Sequence, residues 1–337
     1  MMSTAESPLA QSVFAALADG RFHSGESLAA TRQVTRSAVW KAIESLRELG
    51  VEIDAATHRG YRLAQPTEAL DAAALLAALP ADARERVAAL DVVWSLESTN
   101  ATLLARPPPA PGRVQVLLAE HQSAGRGRRG RSWLAPVGGA ICLSVGAVFE
   151  TLPRDLPALT LAVGVCLLRA LQPLCAQPLE LKWPNDLVSA GRKLGGILIE
   201  LRAEAGGPGH VVIGAGLNLR LPEAALAAVS AAGTAATDLA ALGVAVDGRN
   251  RLAGRVLGEC ILGLRQFERD GFRPFIDEWR AADALLDTPV RVLGGASDTA
   301  GIARGIDAFG ALQLQLADGR LTAVVSGEVS VRPGETA

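Results

Sequence analysis

Residues 125–133 read Gly-Arg-Gly-Arg-Arg-Gly-Arg-Ser-Trp, and no other stretch limits the fold of this chain as sharply. Gly125, Gly127 and Gly130 satisfy the GxGxxG spacing. A dinucleotide-binding fold needs a strand before that motif and a helix opening within it. Residues 114–120 (VQVLLAE) supply the strand, but residues 132–139 (SWLAPVGG) cannot open a helix. The NAD reading is therefore set aside, and a glycine-rich loop between two strands remains. Its four arginines offer paired, charge-assisted hydrogen bonds to phosphate or carboxylate. The loop suits a highly anionic small molecule and could order when that molecule arrives. The plainer reading is a solvated basic loop.

The chain has 337 residues, which suggests two or three domains. Hydrophobic residues at 49% and charged residues at 20% permit a sizeable core. A net charge of −2 argues against a protein that coats nucleic acid or hugs a membrane, so any nucleic-acid contact must come from a local patch. Cys142, Cys166, Cys175 and Cys260 are scattered, without CxxC or Cys/His spacing, so no zinc site or disulfide framework is expected. No signal pattern opens the chain, and the apolar run 156–174 is broken by Gly164, Arg169 and Pro173. A buried helix and a cytoplasmic protein without a membrane span are expected.

Residues 1–64 read as a separate winged helix-turn-helix. Helices are expected at 11–18, 24–30 and 35–49, with Ser24 and Thr35 as caps, then a β-wing from 51–54 and 60–63. Arg36, Ser37, Trp40 and Lys41 face away from the apolar stripe of the third helix and could enter a major groove, with Arg59 and Arg62 on phosphates. The module holds seven Lys/Arg and seven Asp/Glu, so a winged helix used for packing or dimer contacts is the competing reading.

A second domain is expected over 67–286, a mixed β-sheet covered by helices. One or two helices span 71–89, and strands are expected at 91–95, 114–120, 140–149, 179–183, 194–202 and 210–221, with helices at 101–105, 249–270 and 274–282. Ser98, Thr99 and Asn100 follow the first strand and could cap a helix, hold a polar ligand head, or both. Asn185 and Asp186, fixed by Pro184, are oxygen ligands for Mg²⁺ or a ribose hydroxyl. His23, His58, His121 and His210 are isolated surface or core residues. Residues 287–337 change to short strands and read as a small all-β barrel.

No Walker loop, Ser-His-Asp pattern or carboxylate pair is present. A cation-rich site (the arginine loop, Lys182, Lys193), the Asn185–Asp186 pair and the polar rim remain. That combination suits adenylate formation, in which a carboxylate attacks the α-phosphate of ATP and positive groups must offset the repulsion. A closing loop would protect the labile acyl-adenylate from water.

Ser98-Thr99-Asn100, GRGRRGRSW at 125–133, KWPND at 182–186, RKLGGILIE at 192–200, GAGLN at 214–218 and GEVSVR at 327–332 resemble the bacterial biotin–protein ligases, in order and spacing. With the winged helix, the resemblance is to the form that is also the biotin-operon repressor. It implies an α+β, class II synthetase-like ligase domain, followed by an SH3-like C-terminal barrel. It further implies that biotin and ATP give biotinyl-5′-AMP, whose biotin passes to a lysine of a carboxyl carrier domain. By the same resemblance Lys193, Arg128 and Lys182 are catalytic. Ser98, Thr99, Asn100, Gln122, Arg126, Gly127, Arg128, Lys193, Gly214 and Gly216 would hold biotin. Arg126, Arg128, Arg131, Trp133, Asn185, Asp186, Asn218, Glu328 and Arg332 would hold ATP or the adenylate, with Mg²⁺ at Asp186. An adenylate-bound homodimer would meet the operator DNA. Two departures concern adenine: residues 233–237 read GTAAT where some relatives place a tryptophan, and AVVS before Gly327 lacks an aromatic. A lipoate-type ligase on the same fold, a ligase without DNA binding, and a transcription factor that only senses biotin are the alternatives.

Overall fold

The computed structural model describes residues 8–204, 207–231, 235–246, 248–294, 298–325 and 330–333. The first elements are α1 (Pro8–Leu17), α2 (Gly25–Thr31), α3 (Arg36–Glu48) and the antiparallel wing β1 (Ile53–Ala56) and β2 (Gly60–Leu63). Both expected caps are in place. Ser24 Oγ accepts from the Ser27 amide at 3.0 Å and Thr35 Oγ1 from the Ala38 amide at 3.2 Å, each contributing about 1 kcal/mol to its helix. Val39, Ile43 and Leu46 of α3 pack on Val13, Phe14 and Leu17 of α1. This small core also takes in Trp94 and Val137, from beyond the winged helix, and the Phe14 and Trp94 rings lie 5.5 Å apart.

The central sheet has the order β3-β4-β5-β9-β8-β7-β6 among the described residues. Its strands are β3 (Val87–Leu96), β4 (Val114–Gln122), β5 (Ala140–Phe149), β6 (Glu180–Lys182), β7 (Asp186–Ser189), β8 (Arg192–Ala203) and β9 (Gly209–Asn218). β3 and β4 are parallel and the other pairs antiparallel, so the sheet is mixed. Helices α4 (Ala72–Ala78), α5 (Ala81–Arg86), α7 (Leu159–Leu171) and α9 (Arg249–Asp270) share the main core with one face of the sheet. Helix α6 (Thr99–Ala105) packs through Leu103 on the other face, against Leu117 and Val212. The segment Leu156–Leu174 is long and apolar enough to cross a membrane, but 67% of it is buried in this core. It is a core helix, as its broken apolar run suggests.

Three local readings are corrected. The helical stretch expected to reach residue 89 ends at Arg86, and β3 starts at Val87, four residues before the expected strand. Residues 182–186 are not a strand end running into a loop. They form a hairpin in which Lys182 pairs with Asp186 and β7 follows at once. Helix α8 (Glu223–Ala231) was not anticipated, because its alanine-rich sequence carries little apolar periodicity.

After α10 (Ile276–Ala281) come β10 (Pro289–Leu293), β11 (Thr299–Ile306), β12 (Leu312–Gln315), β13 (Leu321–Val324) and β14 (Ser330–Pro333). They form the expected small all-β unit, an antiparallel sheet in the order β13-β12-β11-β10-β14 among the described residues. The sheet docks on the central domain. Trp183 Nε1 donates to the Gly310 carbonyl at 3.0 Å, and Arg280 Nη2 to the Ile306 carbonyl at 2.9 Å.

The joint between α10 and this sheet carries a pH-sensitive group. Asp283 lies beside Leu181, whose backbone bonds to Ala282 and Ala284. Its Oδ1 accepts from the Leu285 amide at 2.9 Å, while Oδ2 is buried without a hydrogen-bond partner among the described residues. Burial, aided by the Asp287 charge, pushes its carboxyl up to about 6. A folded-state value above the unfolded one contributes stability at pH 4 and below, which is lost as the pH rises through 6. Asp283→Asn is expected to gain about 1–3 kcal/mol at pH 7.5 and nothing at pH 4. Thermal unfolding at both pH values checks this, and an equal gain at both would assign the effect to packing.

Candidate active site

The pleat of the sheet builds the site. Along β5, Ile141, Leu143 and Val145 belong to the main core, so Cys142, Ser144 and Gly146 point to the other face. Along β9, Ile213, Ala215 and Leu217 enter the core, which leaves Gly214 and Gly216 on the open face. A Cβ on Gly214 would lie 2.4 Å from Asn100 Oδ1, and one on Gly216 2.4 Å from the Trp133 ring. The glycines are thus required by side chains laid flat across the strand.

A cavity of about 850 Å³ occupies this face, at the upper end of small-molecule sites. Its walls bring together the polar rim Ser98, Thr99 and Asn100 with Gln122; Arg126, Gly127, Arg128, Arg131 and Trp133 of the loop; Lys182, Asn185 and Asp186 of the hairpin; and Lys193, Gly214, Gly216 and Asn218. Glu328 lies outside the described residues. Arg332 stands opposite Arg291 in the β14–β10 register, and its neighbour Val331 lines the cavity. Cys142, Val188, Ile197, Leu198, Val229 and Ala235 also line it; none was given a site role from the sequence, although Ile197 and Leu198 fall within RKLGGILIE. Alternation along 140–149 would have revealed Cys142, and Ser144 behind it. Val188 and Val229 of the apolar wall lie in no motif.

At the polar end, Ser98 Oγ caps α6 by accepting from the Ala101 amide at 3.4 Å. The Thr99 amide donates to Gln122 Oε1 at 2.8 Å. Asn100 Nδ2 donates to the Leu198 carbonyl at 3.1 Å. At the cationic end, Lys193 Nζ pairs with Asp186 Oδ1 at 2.5 Å and lies 5.8 Å from the centre of the Trp133 ring. Burial pulls Arg128 below the ordinary guanidinium range, Asp186 opposes this, and Arg129 and Arg131 add to it. Asn185 Nδ2 donates to the Ile197 carbonyl at 2.8 Å. Asn218 Nδ2 donates to the Thr237 carbonyl at 3.0 Å, so this amide ties the end of β9 to the neighbouring segment.

The arginine loop is pinched at its base. The Trp133 amide donates to the Gly125 carbonyl at 2.8 Å and the Gly127 amide to the Arg131 carbonyl at 2.6 Å. The expected flexible loop is therefore hydrogen-bonded within itself. Arg129 reaches the C-terminal sheet, donating to the Leu293 carbonyl at 3.2 Å. Arg126 is mostly exposed, 3.8 Å from Glu200 on β8.

In the winged helix, Arg36, Ser37, Trp40 and Lys41 are all exposed on α3. The wing arginines are partly engaged: Arg59 lies over the Phe22 ring, and Arg62 pairs with Asp54 at 2.8 Å.

Profiles of three families match the chain. The Biotin/lipoate A/B protein ligase family covers residues 95–218, an HTH domain 11–62, and the Biotin protein ligase C terminal domain 285–332. The chain is 36% identical over 326 residues to the bifunctional ligase/repressor BirA of Escherichia coli (strain K12), a match spanning 96% of this chain and 97% of that one. The chain belongs to the biotin protein ligase family. It is also 42% identical over 249 residues to the biotin–[acetyl-CoA-carboxylase] ligase of Mycobacterium tuberculosis, covering 71% of this chain and 88% of that protein. Among solved structures, the biotin protein ligase of Aquifex aeolicus in complex with biotin and ATP superposes with a TM-score of 0.60. It is 26% identical and covers 73% of this chain and 100% of its own. This family member therefore combines the ligase fold with a helix-turn-helix module in front and the family's C-terminal domain behind.

Proposed function

We propose that this chain joins biotin to ATP, releasing pyrophosphate, and transfers biotin from the adenylate to a lysine of a carboxyl carrier domain. The observation that carries the reading is a cavity in which a neutral polar end and a cluster of cations face each other across an apolar floor. The biotin head meets Ser98, Thr99 and Gln122, and its chain runs past the Asn100 and Trp133 side chains that cover Gly214 and Gly216. The carboxylate ends at Lys193, where one oxygen attacks the α-phosphorus and the bond to pyrophosphate breaks. Arg126, Arg128, Arg131 and Lys182 offset the charge that gathers there. Trp133 covers the acyl-phosphate and keeps water from it. The lysine amine of the acceptor then attacks the acyl carbon, and AMP leaves.

Mg²⁺ fits as an ion brought in with the nucleotide. Asn185 and Asp186 offer oxygen donors, and the described residues hold no group of three His, Cys, Asp or Glu able to keep a metal by themselves. It would neutralise phosphate charge. Adenine would rest on Val229, Ala235 and Ala236, which line the cavity near the stretch where some relatives carry a tryptophan. The test is transfer of labelled biotin to a purified carrier domain with ATP and Mg²⁺. Labelling of one acceptor lysine is expected. Lipoyl or octanoyl transfer in place of biotin would move the chain to the other branch of its fold.

The second role is repression of a biotin operon in the cytoplasm. It is supported by the exposed Arg36, Ser37, Trp40 and Lys41. A two-fold operator needs a homodimer. Among the described residues, β8 beyond Gly196 pairs as a strand only with β9, and Leu201 is exposed, which leaves an edge where a second copy could continue the sheet. A gel-shift experiment on the chain's own biotin-gene promoter tests it. Retardation that appears only with biotin and ATP is expected, and none under either condition would leave the ligase alone.

A further inference from the structure

One aromatic ring in the winged helix holds two cations. Phe22 sits half-buried in the turn between α1 and α2. The guanidinium carbon of Arg59 lies 4.1 Å from its ring centre, and that of Arg62 4.8 Å. The backbone brings the three together. The His23 amide donates to the Tyr61 carbonyl at 2.8 Å, and the Tyr61 amide to the His23 carbonyl at 2.9 Å. The turn is thus joined to β2 one residue from Phe22 and one from Arg62. A Cβ on Gly60 would lie 2.0 Å from the His23 carbonyl oxygen, and the φ of Gly60 is +98°, so this close approach requires the glycine. Asp19 fixes the turn from its other side, accepting from the Arg21 amide at 2.9 Å and meeting the His23 ring at 3.0 Å.

The two arginines differ. Arg62 stands opposite Asp54 in the wing register, and its Nε and Nη2 reach Asp54 Oδ2 at 2.9 and 2.8 Å, so its charge is offset. Arg59 is exposed and, among the described residues, pairs with no carboxylate. A guanidinium held over a ring keeps N–H donors at its edge for a phosphate. It also has less rotamer freedom left to lose when the phosphate arrives. We propose that Phe22 is a positioning residue that holds Arg59 as the phosphate contact of the wing, while Arg62 serves the wing's own structure. The proposal rests on the DNA-binding reading of this module, and it divides a role that the sequence assigns to both arginines alike.

The experiment measures binding of the full chain, with biotin and ATP present, to two fluorescent duplexes across a salt series. One duplex is the chain's own biotin-gene promoter and the other an unrelated sequence. Phosphate contacts do not read sequence, so the wing contact registers on both. Arg59→Ala is expected to weaken binding roughly tenfold and to lower the slope of log affinity against log salt by about one. Asp54→Asn combined with Arg62→Gln removes the pair at constant net charge and should leave that slope unchanged. Phe22→Leu should weaken binding about two- to fivefold, the loss of one exposed cation–π contact. Phe22→Tyr keeps the ring and should hold the wild-type affinity. In the Arg59→Ala background, Phe22→Leu should cost nothing further. A loss that persists there would make Phe22 a packing residue and overturn the proposal, as would a slope that falls with Arg62 and not with Arg59. A wild type that prefers its own promoter no more than the unrelated duplex ends the repressor reading and leaves the wing contact measurable. One that binds neither duplex ends both.

Discussion

Lys193→Ala is expected to lower the rate of biotinyl-adenylate formation by roughly two to three orders of magnitude, the loss typical of removing one preorganised charge from a developing oxyanion. Lys193 is set on β8 between two features that make it effective. The Asp186 carboxylate, 2.5 Å away, keeps the ammonium in place before substrate arrives. Trp133 and Gly196 leave it little room, since a Cβ on Gly196 would lie 3.2 Å from its Cε and Nζ. A carboxylate ligand and an α-phosphate both gain from that ammonium, and the gain rises as charge shifts to the bridging oxygen. The effect should therefore fall mainly on kcat, with a smaller rise in the KM for biotin. Lys193→Arg tests the geometry: it retains the charge but replaces a compact ammonium with a planar fork and should recover only part of the rate. A kcat within about threefold of wild type in the alanine variant would assign the transition-state charge to Arg128 or Lys182 instead.

Much of this site was legible in the sequence, because its chemistry is carried by short local motifs. Arginine density, the KWPND turn and the paired glycines each announce themselves within a few residues. The strand at Ala140–Phe149 and the helix at Arg249–Asp270 follow from apolar pattern alone. What stayed hidden depends on distant partners or on register. Ser144 is an ordinary serine in an apolar strand until the pleat turns it toward Thr99, 45 residues away in sequence. Trp183 reads as a motif residue, and only the fold shows it anchoring the turn at Gly310, 127 positions on. The wall residues Val188 and Val229 have no signature, because apolar residues are common and only their convergence matters. The seat of the winged helix on Trp94 and Val137 belongs to the same class of long-range contact.

Arg249→Met is expected to destabilise the central domain by about 3–5 kcal/mol, since it leaves a buried carboxylate without its counter-charge. Arg249 and Glu120 are almost wholly withdrawn from water and meet at 2.9 Å. The arginine also donates to the Glu68 carbonyl at 2.8 Å and the Ala140 carbonyl at 3.0 Å. Glu120 Oε1 accepts from the Leu70 amide at 2.6 Å. Next in sequence, Asn250 takes the Asp71 amide at 2.9 Å and donates to the Ala69 carbonyl at 2.9 Å. Residues 68–71 are thus hung on one end of α9, and these residues join the winged helix to the ligase domain. The loss should appear as a fall of roughly 10 °C in the unfolding midpoint. Glu120→Gln together with Arg249→Met should recover part of it, because no charge is then stranded; the recovery in that cycle measures the coupling. The pair reaches further than stability. Loosening residues 68–71 frees the winged helix to move relative to the ligase domain, so operator binding should weaken more than adenylate formation at a temperature where both variants remain folded. Equal loss of the two activities would mean that the knot holds up the domain and does nothing for the joint.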